Sequence, residues 1–112
     1  MANLSLDQTL EFDTEMTVSA AFSGTPQLLG TLQNKPVMML VKNQSTVSVF
    51  FADNTGSTKG TTMVAGEEFV LDCRGNHGSA SNMGFAVGTS FFVTGTGGAV
   101  GDAFKVSILY AK

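Results

Sequence analysis

The stretch richest in reactive groups is Asp72-Cys73-Arg74-Gly75-Asn76-His77. A thiol four residues from an imidazole could pair as nucleophile and base. Asp72, Cys73 and His77 could equally supply three metal ligands. The local pattern argues against both. Cys73 keeps phase with Phe69 and Leu71, so it reads as a small core residue. His77 is the only histidine and lies in a Gly/Ser/Asn stretch, where a solvated side chain is expected. Arg74 is expected to pair with Asp72 or Asp102, or to bridge to another subunit.

Other candidate chemistry also fails on spacing. The glycine run from Gly95 to Gly101 lacks the third glycine of a dinucleotide fingerprint, because Val100 stands there, and no Lys-Ser/Thr pair follows. Glu67 and Glu68 are adjacent, so on a strand they would face opposite sides and could not act as a glycosidase pair. Asp53 lies in a polar loop without the regular acidic spacing of a calcium loop. Asn3-Leu4-Ser5 and Asn43-Gln44-Ser45 match the glycosylation tripeptide, which is frequent by chance. Met38, Met39, Met63 and Met83 could form a soft binding surface, although burial in a core is the commoner fate of methionine. There is no tryptophan and one tyrosine, which weakens a carbohydrate-platform reading. No catalytic residue, cofactor or metal site is expected.

The elements that would position these groups are strands. The apolar residues alternate with period two or run continuously for a few residues, and no helical period stands out. Leu4, Leu6, Leu10 and Phe12 share one side of a first segment. Met16, Val18, Ala20 and Phe22 share one side of a second, where a short helix over 14–21 is the weaker option against Thr and Val. Pro36 precedes the continuous run Val37–Val41, the pattern of a strand buried on both faces. A turn is expected at Lys42–Ser45, an alternating strand over Thr46–Phe51, and a tight turn at Ala65–Glu67 between two further strands. Phe85–Val87, Ser90–Thr94 and Ala103–Tyr110 complete the set, the last with Phe104, Val106, Ile108 and Tyr110 on one face. The expected fold is all-β: a two-sheet antiparallel sandwich or jelly roll of about eight strands in a single domain over residues 1–112. Jelly roll and immunoglobulin-like Greek key both remain open. Residues 1–30 are the least regular and are expected to include an arm that reaches a neighbouring subunit.

Composition narrows the function. Gly, Thr, Val and Ser make up 47 of 112 residues and charged residues only 13%, so much of the surface must be uncharged. The net charge of −3 and six scattered Lys or Arg give no basic stripe for nucleic acid or for an anionic membrane. No apolar run reaches the roughly 18 residues of a membrane-spanning helix. One cysteine permits no internal disulfide. The start of the chain shows no signal-peptide pattern, so a complete product made in a cytoplasm is expected.

Val41-Lys42-Asn43-Gln44-Ser45-Thr46-Val47-Ser48-Val49-Phe50-Phe51, Gly60-Thr61-Thr62-Met63-Val64-Ala65-Gly66-Glu67, Phe91–Gly95 and the closing Phe104–Tyr110 together resemble small structural proteins of tailed bacteriophage virions. The resemblance covers about residues 37–112. It implies a non-enzymatic capsid decoration (cement) protein located in the virion, or a fibre or tail component. Its implied partners are the major capsid protein or another virion protein and further copies of itself, most simply as a homotrimer. The assembly element expected on physical grounds is the start of the chain, where Leu4, Leu6, Leu10 and Phe12 need a burial partner. The alternative is a ligand-binding module for a glycan or receptor, with loops 53–59 or 74–82 as the contact.

Overall fold

β-Branched and aromatic residues at alternate positions form strands throughout the computed structural model, which describes residues 9–56, 58–73 and 84–112. In chain order these are β1 (Leu10–Phe12), β2 (Met16–Ser19), β3 (Phe22–Ser23), β4 (Gln27–Thr31), β5 (Pro36–Gln44), β6 (Val49–Ala52), β7 (Thr61–Met63), β8 (Glu68–Asp72), β9 (Ser90–Thr94), β10 (Thr96–Gly97) and β11 (Ala103–Ala111). One sheet runs β1-β11-β5-β8, with β2 also on β11. β1 takes Leu109 to Ala111 and β2 takes Ala103 to Val106, so the two are successive segments of one edge. The second sheet runs β4-β9-β6-β7, and β3 with β10 forms a small ribbon. Every strand pairing among the described residues is antiparallel.

This order decides between the two sandwich topologies left open by the sequence. Only β6 and β7 follow each other in the chain and also pair within the second sheet. The connections β4–β5, β5–β6, β7–β8 and β8–β9 all cross between sheets, as in a jelly roll. The core lies between the sheets. Met39, Val41, Phe104, Val106 and Ile108 come from the first sheet, and Val49, Phe51, Phe91 and Val93 from the second. The Phe51 ring stacks on Phe91 at 5.3 Å and on Phe104 at 5.5 Å, which joins the two inner faces. Where β4 passes β2, a Cβ on Gly30 would lie 2.7 Å from Met16 Cγ, so the missing side chain sets how closely the sheets approach.

Several local expectations change. Residues 16–19 form a strand, so the helical option is not taken up. Residues 16–31 contribute β2, β3 and β4 together with buried Met16, Val18, Phe22 and Leu29, so this part of the irregular segment is built into the sandwich. Lys42 to Gln44 stay in β5, and the turn comes after them. The turn at Ala65–Glu67 is tight, with Glu67 N–H donating to the Val64 carbonyl at 3.1 Å and Gly66 at φ +81°. The strands it joins nevertheless lie in opposite sheets. Phe85–Val87 is not a strand; Phe85 instead packs its ring edge-on to Phe91 at 4.9 Å.

Candidate functional site: the outer face of the first sheet

β5 carries the longest apolar run, and the structure covers only one of its faces. Met39, Val41 and Asn43 point inward and are buried, while Met38, Leu40 and Lys42 on the outer face are partly exposed. The expectation of a strand buried on both faces is therefore corrected: no second layer of this chain's described residues lies over β5. Directly paired residues of adjacent strands share a face, so the register maps what surrounds them. Leu109 is opposite both Met38 and Phe12, Ala111 is opposite Leu10, and Leu40 is opposite Val70. The result is an apolar stripe that runs from Phe12 through Leu109 to Met38 and steps along β5 to Leu40 and Val70, with Asp72 opposite Met38 and Ser107 opposite Leu40. Within it Phe12 is 72% exposed, Val70 56% and Leu10 52%.

Polar groups edge the stripe toward the start of β11. Lys42 Nζ donates to Glu15 Oε2 at 3.3 Å and to Ser107 Oγ at 3.2 Å, and Ser107 Oγ donates to the same carboxylate oxygen at 3.1 Å. Burial works to raise the Glu15 pKa, but the bonds from Lys42 and Ser107 outweigh it and hold the carboxyl below its usual range. Glu68 stands opposite Lys42, and Lys105 opposite it on the other side. An apolar centre beside a polar border is the anatomy of an interface.

Of the four residues expected to drive assembly, Leu10 and Phe12 fall within this stripe on β1, whereas Leu4 and Leu6 lie outside the described residues. Met38, Leu40, Val70 and Leu109 were not singled out for assembly in the sequence. The signal was there, because a continuous apolar run beside alternating neighbours leaves an apolar outer face when only one side is covered.

The reactive-looking groups do not converge. Cys73 packs partly buried against the core, its Sγ 3.9 Å from the Leu71 carbonyl oxygen. Burial, then the Asp72 charge, pushes the thiol above its usual range, which disfavours the thiolate. His77 and Arg74 lie outside the described residues, as do Met83 and the whole of the 74–82 loop candidate. No group of three or more potential metal-ligating side chains occurs among the described residues. Asp102 Oδ2 accepts from Thr46 N–H at 2.9 Å, Thr46 Oγ1 at 2.6 Å and Ala99 N–H at 2.8 Å, so this carboxylate fastens two loops. Met39 and Met63 are core residues, and Met38 belongs to the outer stripe.

The tripeptide at Asn43 has a structural use. Asn43 is 1% exposed. Its Nδ2 donates to the carbonyls of Val47 and Met63, each at 2.9 Å, and of Val64 at 3.1 Å. Its Oδ1 accepts from Ser45 Oγ at 2.6 Å and Ser45 N–H at 3.2 Å. An amide committed in this way is inaccessible to glycosylation in the folded protein.

No protein-family model and no curated protein matches the chain. Among solved structures, it is similar to one described as Bacillus endospore appendages, which form a family of disulfide-linked pili. The likeness has a TM-score of 0.51 at 11% sequence identity and covers 94% of this chain and 90% of that one. At that identity it is a likeness of fold.

Proposed function

We propose that this chain is a non-enzymatic structural protein of a virion: a capsid decoration protein, made in the host cytoplasm, that binds the major capsid protein lattice as a homotrimer. One observation carries the reading. The central strand β5 has an apolar sequence on both faces, and only one is covered, which leaves a stripe from Phe12 through Leu109, Met38 and Leu40 to Val70. The occupant we assign to the stripe is a second copy of the same chain. Interfaces between identical subunits are the more apolar class, and closed symmetric oligomers suit the symmetric sites of a shell. The low charge and the resemblance of residues 37–112 to virion proteins support the same role. Nucleic acid and membrane are not partners in this reading.

The test is the mass of the purified protein by light scattering behind a sizing column. Three times the 11.7 kDa chain mass is expected. Phe12→Asp/Val70→Asp should run as a single chain with unchanged circular dichroism. A wild-type protein that stays monomeric at tens of micromolar overturns the proposed interface. A second reading, a filament subunit, is favoured by the fold shared with the pilus structure; it predicts an open ladder of masses instead of one closed oligomer.

A further inference from the structure

A cleft lies between the two sheets, at the open side flanked by β7 and β8. It encloses about 380 Å³. Its walls are the rings of Phe51, Phe69, Phe85 and Phe91 with the Leu71 side chain. Two further lining residues, Asp53 and Lys59, belong to the polar loop after β6 and are exposed. The sequence marks this loop as a possible ligand contact, and the proposed structural role does not use it.

The geometry of the walls is fixed. Phe51 stacks on Phe91 with the planes 14° apart and meets Phe69 edge-on at 6.4 Å. Phe85 stands at 82° to Phe91. These contacts bury Phe51 and Phe91 and fix the floor of the slot, so the surface open to a ligand comes chiefly from the partly exposed Phe69, Leu71 and Phe85. Small-molecule sites are typically apolar clefts of roughly 300–1,000 Å³ with a few polar groups at one side. An apolar cavity of about 150 Å³ takes a benzene, so this volume suits a two-ring group. One cation and one anion at the rim favour a ligand without net charge, with an N–H or O–H donor that can meet the Asp53 carboxylate.

We infer that this cleft is a binding site for a small, uncharged, two-ring aromatic molecule carrying a hydrogen-bond donor. The inference stands apart from the assembly role, because the cleft and the outer stripe share no residue.

Indole is the probe. The chain has no tryptophan, so indole fluorescence reports the ligand alone. Entry into the cleft should shift its emission to the blue, with half-saturation below about 1 mM for a ligand of this size. Amide and methyl NMR signals should move at Ala52, Leu71 and Phe85 and stay still at Met38, Leu40 and Val70. Phe85→Ala removes one wall and should weaken binding at least fivefold. Asp53→Ala, at an exposed position where folding is not at stake, should weaken it about threefold. Absence of saturation up to about 10 mM, or shifts centred on the outer stripe, overturns the inference. The oligomer mass measured for the proposed function is unaffected by either result.

Discussion

Replacing Asn43 with alanine tests how the crossovers between the sheets are held. Asn43 ends the inward row of β5 and ties two turns together. Its side chain reaches Val47 in the turn before β6 and Met63 and Val64 at the turn after β7. Its backbone reaches the same second turn, with Asn43 N–H donating to the Glu67 carbonyl at 2.8 Å and Gly66 N–H donating to the Asn43 carbonyl at 3.0 Å. The substitution removes five side-chain hydrogen bonds, three donated and two accepted. Not every partner is orphaned. The Val47 carbonyl keeps Ser45 Oγ at 3.0 Å, and the Val64 carbonyl keeps Glu67 N–H at 3.1 Å. Among the described residues, the Met63 carbonyl and the Ser45 amide have no other hydrogen bond outside the strand ladders. At about 1–3 kcal/mol for each buried group left unpaired, the loss should be about 3 kcal/mol. For a chain of this length that lowers the melting temperature by roughly 12 °C. Urea and thermal unfolding, each followed by circular dichroism, measure it. Gln44→Ala, at the next and exposed position, is the control and should stay within about 0.5 kcal/mol. A loss below about 1 kcal/mol for Asn43→Ala would refute the assignment of this amide as the clasp between the turns.

Three further outcomes follow from hydrogen bonding and burial of titratable groups. The Thr46 hydroxyl, with the Ala99 and Thr46 amides, holds the Asp102 carboxyl below its usual range. Its stabilising contribution is therefore present above the ordinary Asp range and lost as pH falls through the lowered folded value; Asp102→Asn should flatten the fall in melting temperature below about pH 4, and an unchanged slope would contradict this. The Tyr110 hydroxyl donates to Glu11 Oε1 at 2.8 Å, which with burial pushes the phenol above its usual range. As Tyr110 is the only tyrosine, its ultraviolet titration is read directly, and Glu11→Gln should move it back down. Cys73, with its thiol pushed up by burial, should react with iodoacetamide at neutral pH more slowly than a free thiol; equal rates would show that the core packing does not shield it.

The inward faces were legible in the sequence because the period of a strand is two and a core tolerates little else. Phe69, Leu71 and Cys73, then Phe104, Val106 and Ile108, all face inward as their phase requires. Partner choice was not legible. The turn at Ala65–Glu67 looks the same whether its strands pair or part, and only the long-range pairings of β7 with β6 and of β8 with β5 show that they part. Nor could local pattern count the layers above β5. A continuous apolar run states that both faces avoid water, without saying which molecule covers each face. Leu10 and Phe12 lie on that same outer face, but their neighbours on it, Leu109, Met38, Leu40 and Val70, are brought there by β11, β5 and β8 from far along the chain. The mismatch between two apolar faces and one covering sheet is thus visible only when sequence and register are combined, and a second copy of the chain is the cover we propose for it.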